Sequence, residues 1–156
     1  MSIGLMTVRA PLQRGFTMME VLIALIILSI GLLGLAALQT TALRNNHGAY
    51  LRTQAILQAY DMSDRMRAND PAATSYIGIG ASPIPTDPGC VLSGCTPSQM
   101  EVYDAYAWNT QNAALLPGGH GTVSLLPGSA GLYQITVQWN EGSSTNPESV
   151  SIDTQP

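Results

Sequence analysis

From Val21 to Leu38 the chain runs for 18 residues without a charge or a proline. At 1.5 Å per residue, a helix over this run covers roughly 27 Å, close to the hydrocarbon thickness of a bilayer. Only Ser29, Gly31 and Gly34 depart from aliphatic chemistry. A transmembrane helix is the reading this composition favours. A helix buried in a soluble core is one alternative, but 156 residues make a core too small to surround it. A cleaved secretory signal is the other, with Arg9 and Arg14 as its basic start and a cut near Gly34-Leu35-Ala36. The run is long for such a signal, and an acid, Glu20, stands at its mouth.

Charge is spread unevenly. The chain is 46% hydrophobic and 10% charged, and it has no Lys. The six arginines stand at 9, 14, 44, 52, 65 and 67. From Ala68 onward there are seven acids and no basic residue, a formal charge of -7. A surface of that sign repels phosphate, which argues against nucleic acid as a partner of the C-terminal part. Arg9 and Arg14 before the run are matched by Arg44 and Arg52 after it, so counting positive charges leaves the orientation open. Beyond Glu20 no charge occurs until Arg44, and an isolated carboxylate in lipid is costly.

Gly15-Phe16-Thr17-Met18-Met19-Glu20, after a short basic leader and before the apolar run, resembles the processing motif of type IV prepilins. That family includes pilus subunits and the pseudopilins of type II secretion. The glycine, and the glutamate five residues later, both stand at the motif's spacing. The resemblance implies cleavage between Gly15 and Phe16 by prepilin peptidase, a membrane aspartyl peptidase, and N-methylation of Phe16. It implies an α+β fold of type IV pilin kind. A long N-terminal helix, transmembrane in its lower half, packs on a small head with an antiparallel sheet of three to four strands and one further helix. It also implies a topology. Residues 1–15 are cytoplasmic, the helix crosses the inner membrane lipid once, and the head lies in the periplasm until assembly carries it to the pilus fibre at the cell surface. The implied domains are a cleaved leader, 1–15, a long helix, 16–69 with 21–38 transmembrane, and a globular head, 70–156.

The resemblance gives Glu20 an assembly role. Cleavage leaves an α-ammonium on Phe16. When helices pack side by side, Glu20 of one subunit can meet the amine of its neighbour, which removes two unpaired charges from an apolar place. The alternative for this Glu is snorkelling to headgroup water. Gly15 offers the peptidase's carboxylates an unobstructed backbone; the plainer reading is a flexible glycine ahead of a helix.

The helical pattern continues past the apolar run. Gln39 to Arg67 has no Pro and only one Gly, Gly48. Ala42, Leu43, Ala49, Tyr50, Ile56, Leu57 and Tyr60 fall in one stripe of about 140°. Leu51, Ala55, Met62 and Met66 make a second strip. Two strips suit a helix with one face on its own head and another on neighbouring subunits; the alternative is burial from both sides within one domain. Asp61 and Arg65 are i,i+4 partners. Asn69-Asp70-Pro71 is the expected stop, so a helix over 16–69 would span roughly 80 Å. Major pilins often carry a mid-helix Pro where this chain has Gly31 and Gly34. These glycines weaken a helix by about 1 kcal/mol each, and they suit either a soft hinge or close helix contact. The missing Pro points away from the main structural subunit.

The rest reads as a head. Ala72–Pro88 is expected to be an irregular connection. Cys90 and Cys95 enclose four residues, and in the oxidising compartment that the topology implies they pair as a disulfide. Thr96, Pro97 and Gln99 fit an N-cap, N1 and N3 of capping-box type, with Glu101 and Asp104 near the positive helix end. That helix is expected to run from Pro97 to about Leu116, with Tyr103, Ala107, Trp108 and Leu115 as packing residues. Strands are expected at Gly121–Leu126, Leu132–Asn140 and Glu148–Asp153, with turns at Pro127–Gly131 and Glu141–Pro147. In the middle strand Tyr133, Ile135, Val137 and Trp139 alternate with polar residues. The expected product is a three-stranded meander on the upper part of the long helix, with an exposed edge strand open to another subunit.

Gly31-Leu32-Leu33-Gly34-Leu35-Ala36-Ala37-Leu38-Gln39, Asp64-Arg65-Met66-Arg67-Ala68-Asn69, and Trp108 with Leu115-Leu116-Pro117-Gly118-Gly119 resemble one branch, the PilV-type minor pilins. The implied function is a minor pilin in a tip or initiation complex with other minor pilins and the major pilin, supporting pilus biogenesis, twitching and adhesion. A minor pseudopilin of a type II secretion system is the alternative, and an anchored or secreted periplasmic enzyme or binding domain is the third reading. For the last, no Ser/His/Asp or Cys/His constellation is legible. Gly118-Gly119-His120-Gly121 reads as a turn rather than a phosphate loop. Neither His47 nor His120 lies near the cysteines, and no acid spacing fits calcium, so no metal or cofactor is expected.

Overall fold

The computed structural model describes residues 15–80, 84–129, 131–142 and 146–156. Arg9 and Arg14 of the expected leader lie outside them, as do Ala130 of the first expected turn and residues 143–145 of the second. A long helix α1 (Met18–Ala68) is followed by a 3-10 helix (Asp70–Tyr76), a one-turn helix α2 (Cys90–Ser93), and α3 (Pro97–Leu115). Strands β1 (His120–Leu125), β2 (Tyr133–Trp139) and β3 (Glu148–Thr154) complete the chain. The chain divides into two compact units, Met1–Leu43 and Arg44–Pro156.

In the first unit every described side chain is exposed. What this segment does satisfy is its own polar chemistry. Ser29 donates to the Leu25 carbonyl (2.7 Å), Thr40 to that of Ala36 (3.0 Å), and Thr41 to that of Ala37 (3.1 Å). Each hydroxyl thus finds its acceptor one turn back on the same helix, as a segment surrounded by lipid requires. Gly31 and Gly34 both sit inside α1, and a Cβ built on either meets no atom within 4 Å.

The second unit has a core of its own. Along upper α1 the buried residues are Leu51, Ala55, Gln58, Ala59, Met62, Ser63 and Met66, one strip at three- and four-residue steps. The apolar ones, Leu51, Ala55, Ala59, Met62 and Met66, share a cluster with Trp108 and Leu116, with Val123 of β1, and with Tyr133, Ile135, Val137 and Trp139 of β2. Strand β2 buries every second residue along its whole length. It is the central strand of an antiparallel sheet ordered β1-β2-β3, in which Ile135 lies opposite Val123 on one side and Ile152 on the other. The expected meander is therefore present.

Local chemistry explains where α3 begins and ends. Thr96 accepts the Gln99 backbone N–H, the Gln99 side chain accepts the Thr96 backbone N–H (3.0 Å), and Pro97 occupies the first helical turn. Past its end, Gly118 takes a left-handed φ of 62° and Gly119 donates to the Leu116 carbonyl. The chain then enters β1, where a Cβ on Gly121 would strike the Trp108 ring. Trp108 is fully buried, and its indole N–H donates to the Gln58 carbonyl of α1 at 2.8 Å. Asn109 accepts the Gly121 backbone N–H at 2.7 Å.

Several expectations are corrected. Helix α1 is two residues shorter at its start and one at its end than 16–69. Part of the connection expected to be irregular is the 3-10 helix, nucleated where Pro71 forbids a continuing α-helical ladder. Leu115 is exposed and Leu116 is buried, because α3 ends between them and the chain turns inward. Tyr103 and Ala107 are only half-buried; Ala105 and Trp108 carry the apolar packing of α3.

Candidate assembly stem and head anchor

Thr17 immediately precedes α1, and its hydroxyl accepts the Glu20 backbone N–H at 3.2 Å. Its carbonyl accepts the N–H groups of Glu20 (3.1 Å) and Val21 (3.3 Å). Glu20 thus occupies the first turn of α1, where the unpaired N–H groups of a helix concentrate positive potential. That potential offsets part of the cost of a carboxylate beside an apolar run. Thr17-Met18-Met19-Glu20 is a capping-box pattern, and Thr17 was legible as a helix start, yet sequence reading assigned it no role. Phe16 is 83% exposed, and together with Glu20, Val21, Ala24, Leu25 and Leu28 it lines a shallow, mostly apolar groove on one side of the helix. Gly15 is exposed just ahead of it. The structure therefore brings Gly15, Phe16 and Glu20 together at the start of an exposed apolar helix.

The two strips of upper α1 part company. Leu51, Ala55, Met62 and Met66 are buried, whereas Tyr50, Ile56, Leu57 and Tyr60 are exposed. Burial from both sides within the head is excluded. Below them, Leu43 is exposed as well.

Where α1 ends, a polar network ties it to the head. Arg65 donates from Nε to Asp61 (2.8 Å) and from Nη1 to the buried Asp104 of α3 (2.9 Å). The Tyr76 hydroxyl donates to the other Asp104 oxygen at 2.6 Å. Asn69 donates to Tyr76 Oη (3.0 Å) and to the Pro97 carbonyl (2.8 Å). Asp104 is past the first turn of α3 and serves this network rather than the helix dipole, a correction to the sequence reading. Burial, and then the Asp104 hydrogen bond, push the Tyr76 phenol well above its ordinary pKa. Burial, and then the Asp104 charge, raise the Glu101 carboxyl. Burial disfavours the Arg65 charge, but its two carboxylates outweigh that and hold the guanidinium above its ordinary value.

Cys90 and Cys95 form a disulfide with Cα atoms 5.1 Å apart, and α2 fills the loop between them. The bridge fixes Cys95 directly before the Thr96 cap of α3. Among the described residues no group of three or more His, Cys, Asp and Glu side chains could hold a metal.

Comparison with protein families agrees with this geometry. The prokaryotic N-terminal methylation motif matches residues 11–36, and the type IV pilin Tt1218 family matches residues 37–106. The two matches run without a gap from residue 11 into α3. No curated protein and no solved structure matches the chain. The fold and these matches define the class: a structural subunit with an N-terminal methylation motif and a membrane-grade stem. The chain belongs to the type IV pilins. Its motif implies processing by prepilin peptidase and assembly with other pilins, and its apolar helix fits a membrane-anchored subunit that later enters a pilus.

Proposed function

We propose that this chain is a minor pilin of PilV type, which enters a tip or initiation complex with other minor pilins and so supports pilus biogenesis, twitching and adhesion. The domains on this reading are a leader, 1–15, removed between Gly15 and Phe16, a helix, 16–69, and a head, 70–156, held in the periplasm before assembly. The observation that carries the reading is the stem itself. Glu20 is its sole charge before Arg44, it lies one turn from Phe16, and the apolar side chains around it are exposed among the described residues. N-methylated Phe16 supplies the ammonium, and Glu20 of an adjacent subunit pairs with it. Each subunit then leaves lipid for a filament with its charges matched.

N-terminal mass spectrometry of the exported protein tests the processing step. The expected mature chain begins at N-methyl-Phe16, and a chain beginning elsewhere overturns the reading. Glu20→Ala is expected to be processed at the same bond yet to be missing from sheared pili; normal incorporation would remove the assembly role from Glu20. Deletion is expected to abolish surface pili and twitching. Loss of protein secretion with pili intact would assign the chain to a type II secretion system instead.

A further inference from the structure

The two edges of the sheet are treated differently. On the outer side of β1, Val123 accepts from the Gly78 N–H (3.0 Å) and donates to the Ile79 carbonyl (3.1 Å). The Gly121 N–H is taken by Asn109. That edge is closed by the protein's own chain. The orientation of β3 follows from the same bonds. Val123 spends its backbone groups away from β2, so its partner Ile135 turns its own toward β3, where it opposes Ile152. Alternation then points the backbone groups of Ser149, Ser151 and Asp153 outward. The hydroxyls of Thr136 and Ser151 lie 2.8 Å apart, as suits a closely spaced, non-hydrogen-bonded pair. Among the described residues no backbone group closes this outer edge of β3.

Exposed edges are ordinarily defended by Lys, Pro or a bulge. Strand β3 has none of these: its seven residues, Glu-Ser-Val-Ser-Ile-Asp-Thr, pair with β2 in unbroken register. Its charges are two acids at the ends, Glu148 and Asp153, both exposed and neither in an ion pair among the described residues. Arg67 reaches the Thr154 hydroxyl but is paired with Asp64. A second copy is a poor occupant. Antiparallel β3-to-β3 pairing would bring four carboxylates to one seam, where the Arg67 of each copy is already paired with Asp64.

We propose that the outer edge of β3 is a strand-addition site for an extended segment of a different partner, with a neutral, β-prone centre and a basic residue toward each end. Backbone hydrogen bonds to Ser149, Ser151 and Asp153 hold it, and Glu148 and Asp153 select its charge. The site lies wholly in the head and is read on a single subunit, so it stands or falls apart from the Glu20 pairing.

Amide hydrogen exchange on the full-length protein in lipid nanodiscs tests the site. Three capped hexapeptide probes are compared: Arg-Thr-Val-Thr-Val-Arg, the same peptide with Glu at both ends, and the Arg peptide N-methylated on each of its four central backbone amides, which blocks both of its edges. The Arg peptide is expected to slow exchange at Ser149, Ser151 and Asp153 on the order of tenfold, and the other two to do so weakly or not at all. Ser151→Pro removes an outward N–H without touching the β2 ladder and is expected to abolish the effect. Glu148→Lys is expected to weaken the Arg peptide and favour the Glu peptide; this variant decides the matter if the proline variant fails to fold. Absence of protection at all three amides, equal protection by the N-methylated probe, or an unchanged charge preference in Glu148→Lys overturns the proposal.

Discussion

Helix α1 holds two segments with apolar surface that meet different fates. Below Arg44 each described side chain faces outward, and Ser29, Thr40 and Thr41 hide their hydroxyls against the helix itself. Above it, one strip disappears beneath α3 and the sheet while Tyr50, Leu57 and Tyr60 stay in the open. The contrast shows that hydrophobicity alone does not place a residue in a core. The lower segment is uniformly apolar around its circumference and suits lipid or other helices. The upper one is broken by Arg52, Gln54 and Asp61 into narrower apolar strips, one of which a small head can cover.

Four perturbations break or sharpen this contrast. Trp108→Ala removes the largest buried side chain of the head together with its bond to Gln58, and should cost about 3–5 kcal/mol. Calorimetry should show the head transition lost or far lowered, while the stem still partitions into membranes. Leu28→Arg should do the converse. It should cost roughly 3 kcal/mol of membrane insertion, read by a glycosylation or fractionation assay, and leave the head transition where it was. Cys90→Ser with Cys95→Ser opens a short loop and should lower head stability by about 2 kcal/mol in a denaturant titration. Equal stability of the wild type with and without reductant would contradict it.

The smallest effect is pH-dependent. Glu101 is raised by burial and by Asp104, so the native state keeps its proton to higher pH than the unfolded chain does. Its contribution therefore falls as pH rises from the ordinary carboxylate value through the raised one, and stays low above it. Glu101→Gln should stabilise the head at neutral pH by a few tenths of a kcal/mol, on the order expected of a water-screened, half-buried group. The two stability curves should converge in acid.

Much of this was legible in the sequence. The strict alternation of Tyr133 to Trp139 announced a half-covered strand, and Thr96-Pro97-Ser98-Gln99 announced a helix start, because both signals are local. The disulfide followed from spacing and compartment. The motif at Gly15 to Glu20 was plain, and the family match bears out the pilin reading. The polar anchor was not legible. Asp104 meets Tyr76 and Arg65 across 28 and 39 residues, and no local period marks such a pairing. The closure of β1 by Gly78 and Ile79 was hidden for the same reason, in a stretch whose glycines read as loop. Two apolar strips on α1 were visible, but which one the head would cover depended on where Trp108 and Ile135 arrive in space.

The indole of Trp108 has a mechanical consequence. Its nitrogen grips a carbonyl of α1 while the far end of its six-membered ring lies against Gly121 of β1. Tension drawn through the helix reaches the sheet through that ring and through the Ser63–Thr154 hydroxyl pair, so sliding one past the other must break both links. Load on this subunit would thus be shared between β1, beneath the indole, and β3, at the hydroxyl pair.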